Sequence, residues 1–132
     1  MRRALKAAAL ILLLAATAAP ADERIYQLRS SNTFDRKTTE KKRFDLPVRA
    51  AGRRVSVHVK AVVREGEARI VVRDSKGRVR QDALLRPSSP SKPNTYDVST
   101  DEERAAAGEW TVELEFKEAT GRYEVVWTND LP

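Results

Sequence analysis

The stretch RRVSVHVKAVVR, from Arg53 to Arg64, decides the fold class, because apolar and polar residues alternate along it. Val55, Val57 and Val59 take every second position, and serine, histidine and lysine stand between and beyond them. Successive side chains of a β-strand point to opposite faces of the sheet. The alternation therefore predicts a strand with one buried face and one solvated face.

The same alternation recurs along the chain and predicts an all-β domain. Two runs carry tryptophan, GEWTVELEFK around Trp110 and YEVVW ending at Trp127. Fainter runs lie at residues 25–28, 42–48, 68–72 and 79–85. Together they predict about seven or eight antiparallel strands in two packed sheets, a β-sandwich of the jelly-roll or immunoglobulin-like kind. We expect both tryptophans to lie in the core, and the less favoured alternative is that they are exposed platforms for stacking against sugars.

Turn residues separate the predicted strands. The pairs Glu65-Gly66 and Thr120-Gly121 predict tight hairpin reversals. The sequence Asp74-Ser75-Lys76-Gly77 predicts a turn with glycine at positive φ. The segment RPSSPSKPNT, residues 86–95, contains three prolines and no other apolar residue, so it predicts an exposed loop.

One short helical turn is predicted near residues 101–107. Thr100 and Glu103 have the spacing of a capping box, and an alanine run follows them before Gly108. The carboxylates of this region also offer hard oxygen ligands for calcium, although the spacing of an EF-hand loop is missing. Four acidic residues supply them, Asp97, Asp101, Glu102 and Glu103.

The N-terminal residues 1–21 have the composition of a cleavable secretory signal. Basic residues precede an apolar run of 13 residues from Ala7 to Ala19, and Ala19-Pro20-Ala21 fits cleavage before Asp22. A run of that length is short for a transmembrane helix, which needs about 20 apolar residues. We expect residues 22–132 to form a single domain in the periplasm or the medium, with no transmembrane segment after cleavage.

Charge and cysteine content narrow the expectations for that domain. The formal net charge of +6 includes three cations of the leader, so the mature chain carries +3. The absence of cysteine means that packing and sheet hydrogen bonds must hold the domain without disulfides. It also excludes lipid anchoring through a cysteine at the cleavage site.

The order of strands and turns resembles the non-catalytic jelly-roll domains appended to secreted hydrolases, the prepeptidase C-terminal and P-domain types. The resemblance covers about residues 53–128 and rests on an Asp-x-x-Gly turn, a Gly-x-Trp strand and a Gly-x-Tyr strand. The matching residues are Asp74, Gly77, Gly108, Trp110, Gly121 and Tyr123. It implies an accessory binding or stabilising role without chemistry of its own.

Residues that could perform catalysis are sparse. His58 is the one histidine, and alternation places it on the polar face of its strand without a nucleophile-elbow sequence nearby. One histidine and no cysteine are too few ligands for a zinc site. Glu109, Glu113 and Glu115 share the polar face of one strand, which is typical of a solvated sheet surface and not of a glycosidase cleft. We therefore expect a non-enzyme without a cofactor or a metal site.

Charge is distributed unevenly along the chain. Residues 24–60 hold eleven basic and three acidic residues, whereas residues 97–118 hold eight acidic and two basic residues. One interpretation is internal: basic strands lie beside acidic ones, for example His58 and Lys60 near Glu113 and Glu115. The other is a basic patch for an anionic envelope polymer or a partner protein. Its residues would be Arg36, Lys37, Lys41, Lys42, Arg43, Arg53 and Arg54.

Three further hypotheses stay open at this point. The domain could bind carbohydrate through a concave sheet face or the 86–95 loop. It could be a small hydrolase centred on His58. It could also pair with a partner through an edge strand at residues 25–28. Export argues against nucleic acid as the ligand.

Overall fold

Branched and aromatic residues at every second position favour extended backbone, and the computed structural model of the chain is all-β and antiparallel. It describes residues 9–15, 24–49 and 51–131. In these ranges it contains six strands: β1 (Ala9–Ala15), β2 (Arg24–Val48), β3 (Arg53–Arg73), β4 (Val79–Leu85), β5 (Asn94–Ala105) and β6 (Gly108–Leu131).

Strands β2, β3 and β6 are long because each one runs through two layers, so that a β-sandwich fits the architecture. The five-stranded layer contains β1, residues 24–34 of β2, residues 121–131 of β6, residues 53–63 of β3, and β5. The four-stranded layer contains residues 38–48 of β2, residues 108–117 of β6, residues 67–73 of β3, and β4. Buried side chains from both layers form one hydrophobic core.

The three long strands change layer side by side, at a region that we call the bend (residues 34–38, 63–67 and 117–121). The pairing register shifts there, as expected where bulges bend a sheet. Gly66 has a φ of 75° and Gly121 a φ of 145°, and a Cβ on Gly121 would overlap the carbonyl oxygen of Val62. The predicted hairpin reversals at Glu65-Gly66 and Thr120-Gly121 are therefore wrong, because the chain bends there and continues.

The bend also explains why the described residues form six strands and not seven or eight. The predicted runs on either side of each bend belong to one continuous strand. The inward-facing positions change parity across the bend, from Val55, Val57 and Val59 in one layer to Ile70 and Val72 in the other. A bulge adds one residue to the strand, so the apolar face stays turned toward the core.

Both tryptophans are core residues, as predicted from the alternation. Trp110 is 0% exposed and Trp127 is 1% exposed. They lie on the same strand, β6, with Trp110 in the four-stranded layer beside Leu46 and Trp127 in the five-stranded layer beside Val57. The side chains therefore anchor the two halves of one interior.

The helical turn predicted at 101–107 is not formed, because residues 101–105 belong to strand β5. Asp101 pairs with Ser56 and Glu102 with Val55 across the neighbouring strand β3. The Thr100 hydroxyl accepts a hydrogen bond from Gln81 Nε2 at 2.7 Å and does not cap a helix. Strand pairing and these side-chain contacts outweigh the local helix preference of the alanine run.

The predicted turn at Asp74–Gly77 is confirmed, and it anchors what we call the turn end of the sandwich (residues 74–80 with Glu102). Gly77 has a φ of 80°, and its N–H donates to the carbonyl of Asp74 at 2.9 Å. The Asp74 carboxylate, 4% exposed, accepts backbone N–H groups of Lys76 and Arg78 and the Arg78 guanidinium. Arg80 Nη1 bridges Asp74 at 3.4 Å and Glu102 at 2.8 Å.

The predicted leader is only partly inside the described residues. Residues 1–8 and 16–23, which include the predicted cleavage site, lie outside them. Residues Ala9–Ala15 form β1 and pair with β2 from Ile25 to Ser31, so residues 25–28 lie between two strands and not at an edge. Leader cleavage stays a prediction. The described part of the chain has no helix of the length and hydropathy needed to cross a membrane.

Candidate functional site

The central part of the predicted basic patch lies on β2 in the four-stranded layer, and each of its cations has a carboxylate partner. Lys41 Nζ lies 4.0 Å from Glu115, Lys42 Nζ lies 2.8 Å from Glu40, and Arg43 Nε lies 2.9 Å from Asp45. The three cations also lie on different faces of the strand, since Lys42 occupies an inward-facing position whereas Lys41 and Arg43 face outward. Their positive charge is largely compensated within the molecule.

The remaining residues of the predicted patch lie at opposite ends of the sandwich. Arg36 and Lys37 are exposed at the bend, and Arg53 and Arg54 follow the connection at the other end. The strand from residue 38 to residue 48 separates the two pairs, which at about 3.3 Å per residue is roughly 30 Å. The structure does not bring the seven residues together into one patch, and their role in binding stays a prediction.

Cross-strand charge pairing is a real feature of the outer face of the four-stranded layer. Arg73 Nη1 lies 2.9 Å from Glu113, and Arg69 Nη2 lies 3.2 Å from Asp82. The example expected from the sequence is nevertheless wrong, because the neighbours of Glu113 and Glu115 on β3 are Val71 and Arg69. Lys60, in the other layer, pairs in register with Glu124 and Asp97. Because β3 and β6 both continue through the bend, residues 55–63 of β3 lie beside residues 121–129 of β6 and not beside Glu113 and Glu115.

Three arginines lie in or directly beside the bend on three adjacent strands, within about three residue positions along the strands, and we call them the bend arginines (Arg36, Arg64 and Arg122). Arg122 follows Gly121, which pairs with both Phe34 and Val63. Arg64 follows Val63 directly. All three arginines are exposed, and within the described ranges none has a carboxylate oxygen within 4.0 Å. Only Arg36 belongs to the patch predicted from the sequence, because Arg64 and Arg122 come from segments that the bend alone brings together.

A groove of about 610 Å³ lies beside the bend on the outer face of the five-stranded layer. Three consecutive residues from each of four neighbouring strands line it, at residues 31–33, 122–124, 60–62 and 95–97. Ala61 and Tyr123 are 3% and 2% exposed, so these central residues contribute mainly backbone. The residues on either side of them face outward.

The outward-facing residues of the groove form two rows across the sheet. Cross-strand pairing defines the first row as Thr33, Arg122, Val62 and Thr95. It defines the second row as Ser31, Glu124, Lys60 and Asp97. The groove therefore combines hydroxyl groups, two cations and two carboxylates around one small apolar side chain.

The charges of the groove are only partly compensated. Glu124 lies 3.7 Å from Arg29, and Asp97 Oδ1 lies 2.5 Å from His58 Nε2. The hydrogen bond with His58 holds the pKa of Asp97 below its usual value, and the charge of Lys60 acts in the same direction. Lys60 and Arg122 are exposed, and neither has an acidic partner within 4.0 Å in the described part of the chain. These two cations remain available to an anionic ligand.

His58 lies on the outer face of β3, as the alternation predicts. Its side chain is 35% exposed and its Nε2 atom faces Asp97. Among the hydrogen bonds of the described residues, none joins His58 to a serine or threonine hydroxyl. The arrangement provides a His–Asp pair, and Ser99 is the neighbour of His58 in the strand register. The hypothesis of a hydrolase centred on His58 stays a prediction.

The four carboxylates considered for calcium are distributed over both faces of β5. The carboxylate of Asp97 contacts the imidazole of His58, and the carboxylate of Glu102 contacts the guanidinium of Arg80. Asp101 and Glu103 are exposed on the opposite face from Glu102. No group of three or more potential metal ligands occurs within the described ranges.

Aromatic platforms for sugar stacking are lacking on the groove. Both tryptophans are buried, and Phe34, Phe116 and Tyr123 pack against one another with ring centroids 4.9–6.0 Å apart. The Tyr96 hydroxyl donates to Gln81 Oε1 at 2.8 Å, and burial raises the pKa of Tyr96. A ligand in the groove would therefore be held by polar and ionic contacts.

No protein-family model and no curated protein matches the chain, so the resemblance to the prepeptidase C-terminal and P-domain families stays a prediction. Among solved structures, dimeric latent PorU from Porphyromonas gingivalis is similar at a TM-score of 0.44 and 10% identity, over 89% of this chain and 14% of that one. An oxalate oxidase is similar at 0.41 and 15% identity, over 93% of this chain and 51% of that one.

A family 35 carbohydrate binding module from Clostridium thermocellum is similar at a TM-score of 0.36 and 10% identity, over 92% of this chain and 90% of that one. The chain thus spans only a small part of PorU and about half of the oxalate oxidase. TM-scores below 0.5 do not assign this chain to the fold or the function of any of these proteins.

Proposed function

We propose that this protein is a non-catalytic binding module that holds an anionic partner against the outer face of its five-stranded layer. The observation that carries the proposal is the set of bend arginines, which have no acidic partner within 4.0 Å in the described part of the chain. Lys37 at the bend and Lys60 in the groove add two more exposed cations, and Asp35 and Glu118 are the exposed carboxylates of the bend. An exposed cluster of cations without internal partners attracts anions over distances of about a Debye length.

The paired cations of the four-stranded layer favour this location over the patch predicted from the sequence. A guanidinium or ammonium group that already contacts a carboxylate has part of its charge compensated, so it attracts an anionic ligand less strongly. Among the residues that the structure describes, the bend arginines have no such compensating contact. Of the seven residues predicted from the sequence, the proposal retains Arg36 and Lys37 as ligand contacts and adds Arg64 and Arg122.

The proposal is tested by removing two charges from each surface in matched variants. We expect Arg64→Gln with Arg122→Gln to weaken binding of fluorescent polygalacturonate about tenfold, or about 1.4 kcal/mol. The control, Lys41→Gln with Arg43→Gln, removes the same charge from the paired surface and should bind within a factor of two of wild type. Fluorescence anisotropy at low and moderate salt gives both affinities, and equal losses in the two variants would reject the proposed surface.

We also propose that the module acts in the bacterial envelope or the medium, on the basis of its leader composition. Cleavage before Asp22 would remove β1 and leave residues 25–31 of β2 with an unpaired edge. Intact-mass measurement of the protein recovered from the periplasm and the medium tests this. A mature chain beginning at Asp22 is the expected result, and a full-length cytoplasmic product contradicts it.

A further inference from the structure

We propose that the anionic partner is an acidic polysaccharide, whose sugar hydroxyls occupy the groove while its carboxylates reach the bend arginines. This inference rests on the proposed function and adds the class of ligand. It follows from the chemistry of the groove, which differs from that of the bend.

The groove mixes acceptors with donors, and this mixture discriminates between polyanions. Asp97 and Glu124 face outward beside Lys60 and Arg122, as the two cross-strand rows show. A polymer made only of phosphates would meet repulsion from the two carboxylates. A sugar hydroxyl can donate to a carboxylate and accept from an ammonium or guanidinium group, so a hydroxylated ligand satisfies both kinds of side chain.

Hydroxyl side chains at both margins of the groove extend the same pattern. Ser31 and Thr33 lie on β2 at one side, and Thr95 lies on β5 at the other. Four strands about 4.8 Å apart make the rows roughly 15 Å wide. A volume of about 610 Å³ lies within the range of ligand pockets. Val62 gives the centre of the first row a small apolar surface for the C–H groups of a sugar ring.

The groove and the bend form one continuous surface, which allows a single chain to use both. Arg122 belongs to each of them, because it lines the groove and also stands among the bend arginines. Arg64 is exposed and lies two residues beyond Val62 along β3, at the position that the pairing register skips. A polysaccharide lying along β3 and β6 would therefore pass from hydroxyl contacts to ionic contacts without leaving the sheet.

The experiment compares three polymers, polygalacturonate, polyphosphate and neutral dextran, on the purified protein. Polygalacturonate carries carboxylates and hydroxyls, polyphosphate carries charge alone, and dextran carries hydroxyls alone. We expect wild type to bind polygalacturonate at least tenfold more tightly than either of the others. Polyphosphate binding equal to that of polygalacturonate, or dextran binding equal to it, would overturn the assignment of an acidic polysaccharide.

Two variants test the two kinds of contact in the groove, those of its hydroxyl groups and those of its carboxylates. Thr33→Val with Thr95→Val removes two hydroxyls and keeps the branched shape that suits a strand. We expect it to weaken polygalacturonate about tenfold and to leave polyphosphate unchanged. Glu124→Gln removes one repulsive charge and should strengthen polyphosphate binding severalfold. Thermal melting verifies that both variants fold.

The outcomes separate this inference from the function on which it rests. If the threonine variant binds polygalacturonate like wild type, or loses both polyanions equally, the glycan assignment is wrong while an anionic site at the bend stands. If Arg64→Gln with Arg122→Gln binds both polyanions like wild type, the proposed function itself is wrong.

Discussion

Arginine has opposite roles at the two ends of the sandwich. At the turn end, Arg78 and Arg80 contact the buried carboxylate of Asp74, and Arg80 also lies 5.3 Å from the centre of the Trp110 ring. At the bend, Arg64 and Arg122 are exposed and have no acidic partner in the described ranges. A buried carboxylate needs compensating positive charge, so the arginines that contact it stabilise the fold. Solvated arginines without such a contact remain available to a ligand.

The largest expected effect comes from disrupting the bend itself. Gly121→Ala would place a Cβ against the backbone of Val62 in a conformation that alanine rarely adopts. We expect a loss of about 4 kcal/mol of unfolding free energy, from backbone strain and overlap together. Gly52→Ala is the matched control, since Gly52 has a φ of 83° but no atom within 4 Å of the added Cβ. It should lose about 1 kcal/mol, and equal losses in urea melts would contradict the proposed overlap.

Removing the anchor of the turn end should have the next largest effect. Asp74→Ala leaves Arg78 and Arg80 without their buried partner and exposes backbone N–H groups that the carboxylate accepted. We expect a loss of about 3 kcal/mol, measured by urea denaturation. Asp82→Ala, which removes an exposed partner of Arg69, should lose far less. Similar losses in the two variants would mean that the buried Asp74 contributes no more to the unfolding free energy than the exposed Asp82 does.

Acid should weaken the turn end by protonating Asp74. Burial would raise the pKa of Asp74, but hydrogen bonds from Arg78 and Lys76 and the charge of Arg78 outweigh it and hold that pKa below its usual value. A carboxylate whose pKa is lower in the folded state stabilises the protein above pH about 4. This contribution is lost as the pH falls further, so the stability of wild type should decline there. Asp74→Asn should decline less, and identical acid profiles would assign the decline to other groups.

The smallest effect is expected at the bend arginines, and it sharpens the contrast between the two ends. Arg64→Gln with Arg122→Gln should change the unfolding free energy by no more than about 0.5 kcal/mol, because neither side chain has an acidic partner in ranges 9–15, 24–49 and 51–131. Arg80→Gln should lose about 2 kcal/mol through its bonds to Asp74 and Glu102. Thermal or urea melts give both values. A large loss at the bend arginines would show that they serve the fold.

The alternation in the sequence predicted the strands and the core well, because burial of every second side chain depends on local pattern alone. The valines from Val55 to Val59 and both tryptophans face the interior as expected. The turn at Asp74 was also predictable, since an aspartate and a positive-φ glycine at that spacing favour one local conformation.

The bend was not predictable from these signals, because a glycine at a bulge and a glycine in a hairpin look alike in one sequence. Gly66 and Gly121 were therefore assigned to reversals, and the strand number was too high. The helical turn near 101–107 failed for a different reason, since pairing with β3 overrides local preference. The bend arginines come from three distant segments, so only the correct topology could bring them together.

The continuity of β2, β3 and β6 through both layers has a mechanical consequence. Neither half of the sandwich can open by itself, since each shares three uninterrupted strands with the other, so unfolding should proceed as one cooperative unit. Amide hydrogens at Val57 and at Val72 should then exchange with solvent at similar, globally limited rates. A domain of this kind offers its surface as a rigid template.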